Sequence, residues 1–395
     1  MARIVWILGA GFSRSLGGPL LGNLLTPEAA ELIQLAYGGH APELFGDYPD
    51  AVRRLYWYGF RRDGRGLVHW TESGAENLWQ DAEQYLDYLD TAAQFDCPAR
   101  ARVLGLLLRV AESLPNECET LKKLTTLGRR LLAAECCAFM EGVANLSEQW
   151  APYRRWLQKG LFEWGKDTVI TFNYDLVPEM VAHALDRRDW FQYKALSDVD
   201  APLLRNDKIS LLLKLHGSVN WTIEHDNSGN PTGVNTDSGI HAALECPAHK
   251  LAIAGPGPGK QALSKGVFKP YWDLALGAIK EADAIVFVGY RFPPTDAEAR
   301  ERLLDAIRDN QNQYVAIHTV LGPNIQSDDS RRLFGLIRHA LIGGGRRRCP
   351  AGQEPQYQPQ KSYNIEQQPM WAEDFFSIVR REMVLDLPQH TTLWP

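Results

Sequence analysis

Six short apolar segments, most of them ending in glycine or polar residues, constrain the fold of this chain more than any other feature. Apolar runs of this kind are typical of strands that are buried on both faces of a parallel sheet. Helical patterns separate several of them, which predicts an α/β protein with a doubly wound, mainly parallel, Rossmann-like sheet. The six segments are RIVWILGAG (3–11), TVITFNYD (168–175), ISLLLKLHGS (209–218), LAIAG (251–255), DAIVFVG (283–289) and YVAIHTV (314–320).

A long helical block separates the first segment from the other five. The first strand can join the sheet only if this block is an insertion, so we predict a discontinuous sheet-forming domain, residues 1–25 plus 165–342, and a large α-helical insertion, residues 26–164. The Gly-, Arg- and Trp-rich residues 57–75 are interpreted as a loop. Apolar residues recur at helical spacing in the block, at Leu78, Tyr85, Leu86 and Leu89, at Leu104, Leu107, Leu108 and Ala111, and at Leu121, Leu124, Leu131 and Leu132.

The remaining residues, 343–395, are predicted to form a short C-terminal extension. The extension begins with the loop sequence GGGRRRCPAGQEPQYQPQ. The amphipathic pattern of MWAEDFFSIVRREM then predicts one helix.

Composition bounds the class of protein and its location. With 395 residues, 45% of them apolar, the chain can bury a sizeable core as a soluble globular protein. The sequence has no run of 18 apolar residues and no signal-like leader, and its six cysteines are irregularly spaced, so we predict a cytoplasmic location without a membrane span or disulfide framework. The net charge of −6 disfavours direct nucleic-acid binding, and the short basic run 346–348 is interpreted as a solvated loop.

Residues just after each predicted strand are the candidates for a site, because ligands of open parallel sheets bind at the carboxyl ends of the strands. After the first strand, Gly9 and Gly11 permit a tight turn and the close approach of a pyrophosphate, and Ser13 offers a hydroxyl near a helix N-terminus. A plain strand-to-helix turn is the alternative interpretation. Arg14 stands where a dehydrogenase fingerprint has its third glycine, which weakens that class of enzyme.

Polar residues also follow the second and third segments. Asn173 and Asp175 would project from the end of one strand, although both residue types are also common caps of a following helix. His216 leaves a buried strand just before Gly217, where a histidine suits a general base because its ordinary pKa lies near working pH. A core histidine with satisfied hydrogen bonds is the alternative.

Two Gly- and Pro-rich stretches complete the set of motifs. The stretch GYRFPPTD, residues 289–296, follows the fifth segment. The stretch GPGPGK, residues 255–260, is similar to a phosphate-binding P-loop but does not fit one. Ala254 replaces the first glycine, Gln261 replaces the serine or threonine, and two prolines remove amide donors.

Taken together and in this order, GAGFS, FNYD, KLHGSVNW and ADAIVFVGYRFPPTD resemble the sirtuin-like domains of bacterial anti-phage defence NADases. The resemblance covers residues 1–25 and 165–322. It implies that Asn173 is the active-site asparagine and His216 the catalytic histidine. The residues implied to bind NAD are Gly9, Ala10, Gly11 and Ser13 at the diphosphate, Gly289 and Tyr290 at the adenosine half, Asp296 in support of that turn or of a ribose, and Asp175 as a brace of the site.

The activity that the resemblance implies is cleavage of the nicotinamide–ribose bond of NAD, the substrate, to nicotinamide and ADP-ribose. The protein would then be a regulated effector that depletes NAD, assembled as a homo-oligomer, with a hexameric ATPase of the DNA-translocase type as a partner in some relatives. Deacylating sirtuins bind zinc through two C-x-x-C pairs, and this sequence has none. Cys246 and His249 form a C-x-x-H without a matching second pair, so no metal is expected.

Three alternatives stay open at the level of sequence. An ADP-ribosyltransferase or cyclase could share the same fold and differ only in the acceptor. A catalytically idle NAD-binding scaffold could retain the same strand ends. An ordinary Rossmann oxidoreductase would need an acidic residue at the end of a second strand, and Glu28 and Glu31 occur near that distance only in a helix-like context.

Overall fold

The chain builds a large sheet in which each pair of neighbouring strands runs parallel. The structure, a computed structural model, describes residues 2–20, 24, 82–94, 117–141, 143, 147–158, 160–187, 191–192, 209–236, 238–239, 242–343 and 362–385. The seven strands lie in the order β10-β9-β8-β1-β2-β4-β3. The strands in chain order are β1 (Ile4–Leu8), β2 (Thr168–Thr171), β3 (Phe191–Gln192), β4 (Ser210–Lys214), β5 (Gly217–His225), β6 (Pro231–Asn235), β7 (Leu251–Ile253), β8 (Ala284–Val288), β9 (Tyr314–Gly322) and β10 (Ser362–Pro369).

Helices cover both faces of this sheet, and the side chains of β1 alternate between the two layers. Ile4, Trp6 and Leu8 pack with helices of the insertion and the tail, whereas Val5 and Ile7 pack with helices that follow β7. The predicted α/β class and parallel sheet are therefore confirmed. The helices are α1 (Ala10–Ser13), α2 (Ala82–Gln94), α3 (Glu117–Cys137), α4 (Ala151–Trp156), α5 (Val177–Ala184), α6 (Ala242–Glu245), α7 (Pro258–Lys265), α8 (Lys269–Glu281), α9 (Ala297–Arg308), α10 (Asp328–Gly343), α11 (Ala372–Ile378) and α12 (Arg381–Leu385).

The segment LAIAG does not join the parallel sheet, and that prediction was wrong. Its strand β7 pairs antiparallel with β5, which also pairs with β6, in a separate three-stranded sheet. The chain turns away at Gly217, whose φ is +84°. A Cβ atom there would lie 1.8 Å from the carbonyl oxygen of Ala252, so only glycine lets β5 approach β7 this closely. His216 sits at this junction between the two sheets.

The C-terminal extension is part of the sheet and of its core, which the sequence analysis missed. Residues 362–369 form the edge strand β10, whose polar sequence SYNIEQQP gives little strand signal. The single predicted helix is two short ones, α11 and α12. Phe376 of α11 stacks on Trp156 with ring centroids 5.2 Å apart, and Arg381 forms an ion pair with the buried Asp167. The tail therefore closes one face of the sheet beneath β1.

Part of the predicted helical insertion packs directly on the sheet. Tyr85, Leu86 and Leu89 of α2 and Leu131 of α3 belong to the same buried cluster as Trp6. The boundaries of the insertion stay a prediction. Among the helices that the structure describes, none combines the length and apolar character needed to cross a bilayer. The predicted loop at 57–75, the positions 78 and 104–111 and residues 344–360 of the tail loop lie outside the described residues.

Candidate functional site

A cavity of about 380 Å³ lies at the carboxyl ends of the central strands. This volume falls within the range of small-molecule sites, and the position is the one that open parallel sheets use for ligands. Helices α2 and α3 of the insertion also contribute to its wall, through Glu83, Leu132 and Cys136. The cavity is lined by all ten residues that the sequence singled out, namely Gly9, Ala10, Gly11, Ser13, Asn173, Asp175, His216, Gly289, Tyr290 and Asp296.

The glycines at the end of β1 are required by the protein's own backbone. A Cβ on Gly9 would lie 2.7 Å from the carbonyl oxygen of Gly289, and a Cβ on Gly11 would lie 2.7 Å from the Cα of Gly289. The amides of Gly9 and Gly11 donate to the carbonyls of Val288 and Gly289. These glycines therefore let the turns after β1 and β8 pack together, and they need no ligand to explain them.

Asn173 has its side-chain amide oriented by three acceptors. Its Nδ2 donates to the carbonyl of Gly9 at 3.1 Å, to Oδ2 of Asp175 at 3.1 Å and to Oγ of Ser13 at 3.4 Å. A carbonyl and a carboxylate can only accept, so the amide nitrogen is assigned without ambiguity. The oxygen Oδ1 is therefore the atom of this side chain left to accept a hydrogen bond from a molecule in the cavity.

Asp175 joins the ends of β1 and β2 from a buried position. Its Oδ2 accepts the hydroxyl of Ser13 at 2.9 Å, and its Oδ1 accepts the N–H of Val177, the first residue of α5, at 3.1 Å. Burial raises the pKa of this carboxyl, and the charge of Lys214 acts in the opposite direction. Asp175 thus bonds the first amide of the following helix, although the N-cap position itself is Leu176, and it fixes Asn173 at the same time. Its role in a reaction stays a prediction.

Removing the Ser13 hydroxyl should destabilise this network. The variant Ser13→Ala takes one donor from the buried Asp175 carboxylate, and we expect the free energy of unfolding to fall by about 1–3 kcal/mol. Urea unfolding measures it. The control Ser228→Ala, in the exposed turn between β5 and β6, should change the free energy of unfolding by less than about 0.5 kcal/mol. A Ser13→Ala protein as stable as its parent would contradict this account of Asp175.

His216 is a buried histidine with one free acceptor atom. Its ring forms a hydrogen bond with the carbonyl of Phe172, and among the described residues no group bonds to its Nε2. A carbonyl only accepts, so the Phe172 bond comes from Nδ1–H, and Nε2 is the unprotonated nitrogen of the neutral ring. Burial, followed by the charge of Lys260, lowers the pKa of His216 to about 3, although Asp296 acts in the opposite direction. The side chain lines the cavity and keeps one unbonded acceptor, unlike a core histidine with satisfied hydrogen bonds. Its pKa lies well below the value near working pH that the sequence analysis expected of a general base.

The lowered pKa of His216 predicts a loss of stability in acid. The unfolded ring takes up its proton near pH 6.5, whereas the folded ring stays neutral down to about pH 3, so the unfolded state binds more protons between these values. The stability contributed by the neutral ring is fully present above about pH 6.5 and is lost as the pH falls toward about 3. We expect the difference in unfolding free energy between the parent and His216→Phe to shrink from about pH 7 to about pH 4 in urea titrations. A difference that does not depend on pH would contradict the assignment.

Asp296 faces His216 across the site and is held on two sides. Its Oδ1 lies 3.7 Å from Nε2 of His216 and forms an ion pair with Lys260, and its Oδ2 accepts the hydroxyl of Tyr290 at 3.1 Å. Burial is the largest single effect and acts to raise the pKa of this carboxyl, but Lys260, His216 and Tyr290 together outweigh it, so the pKa lies below its ordinary value. The Tyr290 ring stacks on Phe172 with centroids 4.0 Å apart. The Asp296 carboxylate therefore supports the turn after β8, one of the two roles that the resemblance implied.

Two lysines near the site were missed by sequence reasoning. Lys214 is fully buried, and its Nζ donates to the carbonyl of Asp175 and to Glu179 at 2.9 Å. A charged residue inside the apolar run LLLKLH is a signal that could have identified it. Lys260 belongs to GPGPGK, which was considered only as a P-loop. Neither lysine could be paired with its acidic partner from spacing alone.

Comparison with known proteins identifies no family for this chain, and the described side chains identify no metal site. No family model and no curated protein matches this chain. Among the described residues no group of three or more His, Cys, Asp or Glu side chains could hold a metal ion. Function is therefore inferred from the geometry of the cavity.

Proposed function

We propose that this protein hydrolyses the nicotinamide–ribose bond of NAD and releases nicotinamide and ADP-ribose, as a sirtuin-like NADase. The observation that carries the proposal is the unbonded Nε2 of buried His216, in the same cavity as the oriented amide of Asn173. A buried acceptor without a partner is costly to a fold, and such atoms occur at sites where a ligand supplies the missing donor. The sequence resemblance supplies the identity of that ligand.

The chemistry requires a proton acceptor and a fixed ribose. As the bond between nicotinamide and the ribose breaks, its electron pair leaves with nicotinamide and positive charge develops on the sugar. Water then adds to the anomeric carbon, and its proton passes to Nε2 of His216, which the Phe172 carbonyl keeps unprotonated. Asn173 accepts a hydrogen bond from a ribose hydroxyl or from that water through Oδ1, and Asp175 keeps the amide in place.

The remaining predicted residues would form the walls of the NAD site. Gly9, Ala10, Gly11 and Ser13 border the cavity where the diphosphate would lie. The packing of Gly9 and Gly11 against Gly289 limits these two to backbone walls. Tyr290 would border the adenosine half as a buried wall, because its ring stacks on Phe172 and its hydroxyl is bonded to Asp296.

Regulation belongs to the same proposal, because an unregulated NADase would destroy the cell's own cofactor. We propose that the chain acts in the cytoplasm as a homo-oligomeric effector of anti-phage defence, silent until triggered. A hexameric ATPase of the DNA-translocase type is the partner that the resemblance suggests. Helices α2 and α3 support a regulatory route, because they contribute Glu83 and Cys136 to the wall of the cavity.

The experiment is an incubation of the purified full chain with NAD, alone and with the products of neighbouring genes. Nicotinamide, ADP-ribose, cyclic products and modified protein are followed together by mass spectrometry. Stoichiometric nicotinamide and ADP-ribose are expected. A cyclic product or ADP-ribosylated protein would show that the ADP-ribosyl group is transferred to an acceptor other than water, which would contradict hydrolysis. Binding of NAD without turnover under every condition would favour the scaffold alternative and overturn the proposal.

A further inference from the structure

Lys260 makes a charged contact at the site that the proposed reaction does not use. Its ammonium pairs with Oδ1 of Asp296, the same oxygen that lies 3.7 Å from Nε2 of His216. The Lys260 side chain is 12% exposed, and the side chains of Asp296 and His216 are 2% and 6% exposed. Oδ1 of Asp296 therefore lies between the ammonium of Lys260 and the imidazole of His216. Little water reaches this place, so the interactions of Oδ1 with both groups are only weakly screened.

The first turn of α7, which carries Lys260, is held by helices α2 and α3 of the insertion. Oδ2 of Asp90 accepts the amide of Gly259 at 2.7 Å, and Oδ1 accepts Nη2 of Arg129 at 2.9 Å. Gln94 donates to Asp90 at 3.0 Å. Asp90 is 2% exposed, so its charge is compensated by these contacts and not by solvent. We call Asp90, Arg129 and Gln94 the Asp90 clamp.

The two glycines at the start of α7 pack against Asp90 and Arg129 with no room for a side chain. Gly257 has a φ of +114°, and a Cβ there would lie 2.5 Å from Cβ of Asp90. A Cβ on Gly259 would lie 2.3 Å from Nη2 of Arg129. The glycines of GPGPGK thus allow the start of α7 to approach the insertion helices, and this close packing accounts for the P-loop-like pattern without a phosphate.

We propose that Lys260 is a positioning residue: its ammonium fixes the Asp296 carboxylate beside His216, and the Asp90 clamp of the insertion holds Lys260 in place. The insertion would thereby control the proton acceptor of the site from a distance. A displacement of α2 or α3 would move residues 257–260 at the start of α7 and withdraw the ammonium from Asp296. The consequence for turnover rests on the proposed function, whereas the geometry does not.

Burial is the largest cause of the lowered pKa of His216, and the charge of Lys260 is the next. The groups facing His216 are Asp296 before α9, Lys260 on α7, and Tyr174 and Tyr290 after β2 and β8. Burial raises the pKa of both tyrosines well above the ordinary value, so they carry no charge at neutral pH. Without Lys260, the Asp296 carboxylate would be the uncompensated charge next to Nε2 and would favour the imidazolium.

The test is an NMR pH titration of the His216 ring in the ligand-free full chain, with the signal assigned by its loss in His216→Ala. In the parent the signal should not titrate between about pH 5 and 8. In Lys260→Met its midpoint should move into this window, and in Lys260→Met/Asp296→Asn the titration should leave the window again. Lys265→Met removes an exposed lysine of the same helix and should leave His216 unchanged.

A His216 signal that titrates alike in the parent and in Lys260→Met would overturn the proposal, whatever the NADase activity. Should Lys260→Met fail to fold, Lys260→Gln keeps a hydrogen-bond donor to Asp296, and the same shift is expected. Arg129→Met tests the clamp. It should speed amide exchange at Gly259 and Lys260 and move the His216 midpoint in the same direction as Lys260→Met does. Unchanged exchange and titration would remove the insertion from the proposal. Because the protein is ligand-free, these outcomes are independent of whether NAD is the substrate.

Discussion

Replacing His216 by alanine is expected to lower nicotinamide release by the active protein at least about 10²-fold, because the loss of a general base has an effect of about 10²–10⁴. The Asp296 carboxylate, 3.7 Å from Nε2 in the parent, is already paired with Lys260 and is therefore a poor replacement, and bulk water is a far weaker base. Turnover is measured under the conditions in which the parent is active. Circular dichroism and size-exclusion chromatography of the variant should match the parent, since alanine removes a ring that donates one hydrogen bond to the Phe172 carbonyl.

The matched control for this variant is His183→Ala. His183 is an exposed histidine on α5, outside the residues that line the cavity, and its removal should leave nicotinamide release unchanged. Asn173→Ala should lose activity to a similar degree. Because the two side chains act on one step, the double variant should be about as slow as the slower single one. A folded His216→Ala protein with parental turnover would remove the proposed base.

Much of the site's position could be predicted from the sequence, because it depends on strand ends alone. Strands β2 and β4 are neighbours in register, with Thr171 opposite Lys214, so Asn173 and His216 each lie two residues beyond a paired position. Apolar runs identify such strands, and polar residues after them identify the edge of the sheet. Their catalytic roles stay predictions, because strand ends fix a location and not a reaction.

The electrostatic surroundings of the site could not be predicted from local pattern. The contact between Lys260 and Asp296 joins the first turn of α7 to the residue just before α9, and the lysine is placed by Asp90, a residue 170 positions earlier in the chain. No periodicity links such residues. The edge strand β10 was missed for a related reason, because it is held by pairing with β9 and its own residues are mostly polar.

The glycines after β1 show why one motif can support two interpretations. A turn that admits a pyrophosphate and a turn that admits a second backbone both exclude a Cβ atom. The sequence cannot separate these causes at Gly9 and Gly11, whereas the structure shows the turn at Gly289 within contact of both. The requirement for glycine should therefore persist in the complete absence of a dinucleotide.

Gly289→Ala is accordingly expected to be the most destabilising of the variants considered, even in ligand-free protein. Gly289 has a φ of +68°, and a Cβ there would lie 2.2 Å from the amide nitrogen of Phe12, a backbone atom that cannot rotate aside. The left-handed conformation costs roughly 1–2 kcal/mol for a residue with a side chain, and forced overpacking adds about 1–3 kcal/mol. The sum is a large part of the roughly 5–15 kcal/mol that stabilises a typical domain.

Urea or thermal unfolding of the ligand-free protein measures this loss, with Gly335→Ala as the control. Gly335 lies within α10, and a Cβ added there would meet no atom within 4 Å, so alanine should be neutral or stabilise the helix by up to about 1 kcal/mol. Should Gly289→Ala unfold like the parent and lose only the binding of NAD, the glycine would serve the ligand and not the fold. Comparable destabilisation with and without saturating NAD would instead show that the glycine serves the fold. The close packing of the β1 and β8 turns would then be part of the structure that positions Asn173 and His216.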